Sequence, residues 1–184
     1  MNAPTGPQFL RRSVGWIIFL AATAAMATGL ATSRAAAAAV PVPIEQRDPW
    51  TAGDLIEPQA LAKAIAGPSA ERPVVYCVGF SMLYAGGHIP GAQYAGPASD
   101  RDGLELLKST ARPLSRDQTV VIYCGCCPWN HCPNIRPAFR ALHAMGFRHV
   151  RVLVIPSNFH DDWTAQGLPV AHGEPAKSSR TPTG

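Results

Sequence analysis

The sequence predicts an α/β fold built on a mainly parallel sheet. Short runs of apolar, often β-branched or aromatic, residues recur along the chain, and stretches with apolar residues at helical spacing separate them. Parallel strands need a crossover between them, so this alternation is typical of a parallel sheet with helices packed against it. A length of 184 residues without an internal repeat fits one domain.

The first half of the domain is predicted to contain three strands and two helices. The strands are expected at residues 55–56, 74–78 and 93–95, where apolar residues cluster. Pro58 suits the first turn of a helix, because that turn needs no N–H group from it. A second helix is expected at residues 103–111, where leucines recur at helical spacing.

The second half is predicted to contain two more strands and two more helices. The strands are expected at residues 119–123 and 150–155, and a final short helix at residues 159–166. Asn134 is predicted to cap the helix between these strands and Gly146 to end it, because these residue types are favoured at such positions.

Four of the five cysteines lie in the loop between the strand at 119–123 and the next helix. They are Cys124, Cys126, Cys127 and Cys132. Ligands of parallel sheets bind at the carboxyl ends of strands, where the following helix directs its free N–H groups at them. A cysteine reacts as its thiolate, which such N–H groups stabilise. Cys124, directly at the strand end, is therefore the predicted nucleophile.

Both ends of the chain are predicted to lie outside the folded domain. Two arginines, an apolar run and a run of alanines have the order of a secretory signal, which predicts a signal peptide or an N-terminal anchor at residues 1–39. Residues 40–53 are expected to be an extended lead-in, and residues 172–184 a disordered tail. The domain is assigned to residues 54–171, and its expected location is periplasmic or secreted.

The net charge of +4 belongs mostly to the N-terminal segment. Without residues 1–39, the chain has 13 Lys and Arg against 12 Asp and Glu. No basic patch or stripe stands out in this balanced remainder, so a nucleic-acid partner is not expected. Contact with a membrane is expected only if the N-terminal segment is retained.

Four sequence features, in this order, resemble a single rhodanese domain. They are the Gly-His-Ile-Pro-Gly-Ala turn at residues 87–92, the strand ending in Tyr123 and Cys124, the helix end at residues 142–147, and Trp163 followed by Gly-Leu-Pro-Val at residues 167–170. The resemblance implies a five-stranded parallel sheet with helices on both faces. It also implies that Cys124 carries sulfane sulfur as a persulfide, from a small donor such as thiosulfate to a thiol or cyanide, without a cofactor.

The chain departs from the family pattern around this site. Cys77-Val78-Gly79 stands where the family usually has Asp-x-Arg, and the loop after Cys124 is longer than the family's compact loop. Because neighbouring thiols exchange between dithiol and disulfide, the remaining cysteines are predicted to be resolving or disulfide partners. These are Cys77, Cys126, Cys127 and Cys132.

Substrate contacts are predicted from four residues of the loop and the helix after it. They are Gly125, Trp129, His131 and Arg136. His131 is close enough in sequence to assist as a base, and Arg136 to bind an anionic donor through paired hydrogen bonds. The alternative for Arg136 is an exposed position on the helix.

A second hypothesis is a periplasmic redox or Cu(I)- or Zn(II)-binding module on a catalytically degenerate rhodanese fold, serving an exported oxidoreductase. Its candidate ligands are Cys126, Cys127, His131 and Cys132. Their spacing is not the paired C-x-x-C of a zinc ribbon, so no resident metal is predicted. Phosphatase chemistry on a Cys-x5-Arg loop is excluded, because no arginine lies six positions after Cys124, Cys126 or Cys127.

Overall fold

A computed structural model describes residues 47–175 of the chain. Five strands form its sheet: β1 (Leu55–Ile56), β2 (Val74–Cys77), β3 (Gln93–Tyr94), β4 (Val120–Tyr123) and β5 (Val150–Leu153). Their order across the sheet is β1-β5-β4-β2-β3, and every pairing is parallel. The predicted five-stranded α/β fold is therefore confirmed, with a sheet that is wholly rather than mainly parallel. The predicted signal peptide or anchor lies outside the described residues.

Helices cover both faces of this sheet. They are α1 (Pro58–Ala66), α2 (Ser81–Gly86), α3 (Arg101–Ala111) and α4 (Ile135–Ala144). Single 3-10 turns lie at Ala52–Asp54, Ser69–Glu71 and Trp129–His131. The final predicted helix is instead a short π-helix, His160–Thr164. The sequence did not predict α2, because only Tyr84 of its six residues is buried and no apolar face marks it.

The core lies on the two sides of β4, the strand at the centre of the sheet. All four residues of β4 are buried, which explains why its sequence is apolar throughout rather than alternating. Val120 and Ile122 pack with α3 and α4 on one face. Val121 and Tyr123 pack on the other face with α1 and with Trp163, which is fully buried.

The two predicted ends of α4 are Asn134 and Gly146. Gly146 has a φ of +89° and donates its N–H to His143, so it ends α4 as predicted. Asn134 is the N-cap residue of α4 as predicted, but its side chain makes no capping hydrogen bond. The Asn134 amide is used elsewhere, in contacts described below.

Within residues 47–175, no helix is both long enough and apolar enough to cross a membrane.

Gly103 in α3 provides a test of the packing between this helix and the loop before it. A Cβ at position 103 would clash with the backbone of Pro97, whereas one at Gly86 in α2 would meet open space. We expect Gly103→Ala to lower the free energy of unfolding by about 1–3 kcal/mol, because the backbone must move. Gly86→Ala should change it by less than about 1 kcal/mol. Urea unfolding of both variants measures this, and equal midpoints would contradict the close packing.

Candidate functional site

The ends of β2 and β4 lie side by side at one edge of the sheet. Cys77 is in register with Tyr123, and the N–H of Val78 donates to the Tyr123 carbonyl at 2.8 Å. A Cβ at the next position, Gly79, would lie 2.7 Å from the carbonyl oxygen of Cys124 and 2.9 Å from its sulfur. Glycine at position 79 is therefore the residue that leaves room for the Cys124 thiol.

The four loop cysteines form one cluster at this edge. Cys126 Sγ lies 3.1 Å from Cys124 Sγ, 3.0 Å from Cys127 Sγ and 4.0 Å from Cys132 Sγ. The sulfur atoms of Cys124, Cys126 and Cys132 all lie within 4.8 Å of one another. All five cysteines are free thiols, so the predicted disulfide pairings stay predictions.

The segment after β5 fixes the conformation of the cysteine loop. The N–H of Phe159 donates to the Gly125 carbonyl at 3.1 Å, and the N–H of Trp129 to the Ile155 carbonyl at 2.9 Å. Gly125 has a φ of +79°, and a Cβ there would lie 2.9 Å from the Cβ of Phe159. This position therefore requires glycine, both for its backbone angle and for the close approach of Phe159.

Asn134 is a site residue that the sequence did not indicate as one. Its side chain is fully buried, and its Nδ2 donates to Cys124 Sγ at 3.3 Å. Its Oδ1 accepts from the N–H of Ser99 at 2.9 Å. In sequence, an asparagine just before a helix indicates an N-cap. Its hydrogen bond to Cys124 depends on the fold and has no sequence signal.

The N-terminus of α4 directs its backbone N–H groups at Cys132 rather than at the predicted nucleophile. The N–H groups of Asn134 and Ile135 donate to the Cys132 sulfur and lower its pKa. The hydrogen bond between Cys132 and Cys124, together with burial, outweighs them, so the pKa of Cys132 is raised overall. Cys124 receives the Asn134 side chain as a donor instead.

Burial keeps the cysteines around Cys124 protonated at neutral pH. It raises the pKa of Cys126 to about 12 and that of Cys77 to about 11. Burial also raises the pKa of Cys127. These three groups are thus thiols rather than thiolates under ordinary conditions, and they act as weak hydrogen-bond donors.

A cavity of about 600 Å³ leads to the cluster from the face of the sheet that packs against α1 and Trp163. Cys77, Cys124 and Cys126 contribute to its wall, together with apolar residues such as Phe159 and Val170. Among the described residues that line it there is no lysine or arginine. Its rim includes exposed apolar side chains, with Met82 82% and Leu83 44% exposed.

Of the predicted substrate contacts, only Gly125 lines this cavity. Trp129 packs against Trp50 with ring centroids 5.5 Å apart, and His131 is exposed to solvent. Arg136 forms an ion pair with Asp48 at 2.6 Å. It also lies over the ring of Trp50, so it is neither directed at the cavity nor freely exposed.

The close packing at Gly79 can be tested through oxidation of the cysteine pair beside it. We expect Gly79→Ala to slow oxidation of the Cys124–Cys126 pair by diamide by about tenfold or more, because the added methyl group displaces the Cys124 sulfur and disulfide geometry is specific. Peptide mass spectrometry measures the rate. Gly53→Ala, whose Cβ would lie no closer than 3.6 Å to any atom, is the control. Equal rates in the two variants would contradict the contact.

The raised pKa of Cys77 predicts a pH dependence of stability. The pKa of the Cys77 thiol in the folded chain, about 11, exceeds the ordinary 9.0. The contribution of the protonated thiol to the free energy of unfolding is therefore fully present below pH 9 and is lost as the pH rises through 11. Between pH 8 and pH 10 we expect about 1 kcal/mol of this loss. Cys77→Ala should lose correspondingly less over the same range. Urea titrations at both pH values measure it, and identical losses would contradict the burial of the thiol.

Comparisons with known proteins agree with this geometry. Residues 78–154 match the family model of the Rhodanese-like domain. No curated protein is significantly similar to the chain.

Three solved structures with a similar fold show the range of sequence identity and coverage. The BH2092 protein from Bacillus halodurans has 20% identity and a TM-score of 0.50 over 64% of this chain and 76% of its own. The rhodanese-like domain of the Alr3790 protein from Anabaena sp. has 21% identity and a TM-score of 0.46, over 71% and 86%. Thiosulfate sulfurtransferase from Pseudomonas aeruginosa has 26% identity and a TM-score of 0.48, over 73% and 21%.

The family match covers the stretch from the end of β2 through β5, which includes the cysteine loop. The five parallel strands and the loop cysteine at their edge are the features that the resemblance implied. Residues 78–154 therefore match a rhodanese-like domain, and the described residues have the fold of one, with a cysteine-rich loop after the central strand.

Proposed function

We propose that this domain carries sulfane sulfur as a persulfide on Cys124 and that Cys126 is its resolving thiol. The observation that carries the proposal is the position of the Cys124 sulfur. It lines the cavity at the carboxyl edge of the sheet, 3.1 Å from Cys126 Sγ and 3.3 Å from the Asn134 amide. A nucleophile, a second thiol and a hydrogen-bond donor thus meet where a substrate enters.

In the loading step, the Cys124 sulfur attacks the outer sulfur of a donor persulfide. A new S–S bond forms on Cys124, the S–S bond of the donor breaks, and the donor leaves as a thiol with the proton from Cys124. The Asn134 Nδ2, which donates to Cys124 Sγ, is placed to stabilise negative charge on sulfur during this exchange.

In the transfer step, an acceptor thiol takes the outer sulfur and restores the Cys124 thiol. Without an acceptor, Cys126 attacks the inner sulfur, H₂S leaves, and a Cys124–Cys126 disulfide forms. A dithiol of an oxidoreductase then reduces that disulfide and becomes oxidised itself. The pKa of Cys126, about 12, keeps this thiol protonated at neutral pH. Attack by Cys126 is therefore slow, and the persulfide persists until an acceptor thiol binds.

The cavity favours a thiol-bound donor over thiosulfate. Thiosulfate is a dianion, and removing it from water is costly where no cation replaces the lost hydration. The described lining residues include the imidazoles of His160 and His172 but no lysine or arginine, and the Arg136 guanidinium is paired with Asp48. The charged groups of an organic persulfide are separated from its outer sulfur and can stay in solvent, and its apolar parts can contact Met82 and Leu83 at the rim.

Export and an exported oxidoreductase as partner are part of the same proposal. The N-terminal order of arginines, apolar residues and alanines supports the periplasmic or secreted location. A dithiol partner in that compartment would supply the reductant that the resolving step needs.

Cyanolysable sulfur tests the assignment of the two cysteines. After incubation with glutathione persulfide, the wild-type chain should release about one sulfur per protein to cyanide, because the Cys124 persulfide is its carrier. Cys124→Ser should release none. Cys126→Ser should retain the sulfur for longer than the wild type, since the resolving thiol is missing. Cys127→Ser, at a loop cysteine that does not line the cavity, is the matched control and should behave as the wild type.

Two results would overturn the proposal. Undiminished cyanolysable sulfur in Cys124→Ser would remove Cys124 as the carrier. Loading from thiosulfate that is as fast as loading from glutathione persulfide would contradict the substrate class. Circular dichroism of each variant confirms that a loss of sulfur does not come from unfolding.

A further inference from the structure

We propose that Cys124, Cys126 and Cys132 form a three-coordinate binding site for Cu(I). Their sulfur atoms lie within 4.8 Å of one another, with Cys126 Sγ 3.1 Å from Cys124 Sγ and 4.0 Å from Cys132 Sγ. Three sulfurs bound to one ion at about 2.3 Å in a plane lie about 4 Å apart. Binding therefore requires Cys124 and Cys126 to separate by about 1 Å, and Cys124 and Cys132, at most 4.8 Å apart, to approach by less than about 1 Å.

The fold holds the three ligands before any ion arrives. Cys124 follows β4 directly, and Cys132 ends the 3-10 turn Trp129–His131, just before α4. Their exposed fractions are 4% and 0%, so packing fixes both side chains. Cys126 lies in the loop between them, which is anchored to the segment after β5. Such preorganisation lowers the entropic cost of binding.

Hydrogen bonds from outside the cluster reach two of the three sulfurs. The Asn134 side chain donates to Cys124 Sγ at 3.3 Å. The backbone N–H groups of Asn134 and Ile135 donate to Cys132. Donors of this kind stabilise the charge of thiolate ligands and orient them toward a metal. The same residue thus supports two ligands, one with its side chain and one with its backbone.

The number of ligands favours Cu(I) over Zn(II). Thiolates are soft ligands that suit both ions, but structural zinc sites almost always have four ligands. His131, the nearest imidazole in sequence, is exposed to solvent, and among the described residues the cluster consists of three cysteines. Cys127 contacts Cys126 at 3.0 Å but lies outside that group. Cu(I) accepts three sulfur ligands without a fourth.

Copper and sulfur would compete for the same atom. Both need the Cys124 sulfur, so a copper-loaded domain cannot carry a persulfide there. The ion enters from the cavity, whose wall includes Cys124 and Cys126, and each thiol that becomes a ligand releases its proton to solvent. The copper site does not depend on the proposed sulfur chemistry, and either can exist without the other.

Competition with a chromogenic chelator tests the site on the reduced, full-length chain. Under anaerobic conditions we expect it to remove one Cu(I) per protein from bicinchoninate. Cys126→Ser and Cys132→Ser should each weaken binding by about 100-fold or more, because one of three metal–sulfur bonds is lost. Cys127→Ser is the matched control for Cys126→Ser, as its neighbour in the loop, and should retain the affinity of the wild type. X-ray absorption should show three sulfur neighbours.

Several results would overturn the copper site. These are a failure to compete with bicinchoninate, unchanged affinity in Cys126→Ser, equal loss in Cys127→Ser, or tighter binding of Zn(II) with four ligands. The two proposals fail separately. Copper binding without cyanolysable sulfur would contradict only the persulfide proposal. Cyanolysable sulfur without copper binding would contradict only the copper site. Thermal denaturation of Cys132→Ser, the fully buried position, shows whether that variant remains folded.

Discussion

The close approach of two strand ends is the constraint on which the cysteine site depends. Parallel pairing of β2 with β4 brings Gly79 against both the carbonyl oxygen and the sulfur of Cys124. Any side chain at position 79 would occupy the space that the thiol uses. The Cys77-Val78-Gly79 segment thus brings no charged side chain to this point, and its glycine leaves room for the sulfur.

The thiols around the cysteine loop differ in their surroundings. Cys124 lies at the cavity wall, while burial raises the pKa of Cys126 to about 12 and that of Cys77 to about 11. Asn134 contacts Cys124 through its side chain and Cys132 through its backbone, which couples the two ends of the loop. One arrangement can therefore serve a sulfur carrier or a soft-metal site, and occupancy of Cys124 decides between them.

The fold could be predicted from sequence because its signals are local. The apolar β4, the proline at the start of α1 and the glycine after α4 each act within a few residues. The surroundings of Cys124 depend on contacts between distant segments, which local patterns do not encode. The sequence does not show that Asn134, at the N-cap position, also contacts Cys124. Nor does it mark α2, which has no apolar face, or the ion pair of Arg136 with Asp48, 88 residues earlier in the chain.

Peptide mapping by mass spectrometry locates the transferred sulfur on the unmodified sequence. The full-length chain is incubated with glutathione persulfide, alkylated and digested. If Cys124 carries the persulfide, the peptide at Cys124 gains about 32 Da, the mass of one sulfur atom. Sulfur found on Cys77 or Cys127 instead, or on no cysteine of the loop, would contradict this assignment.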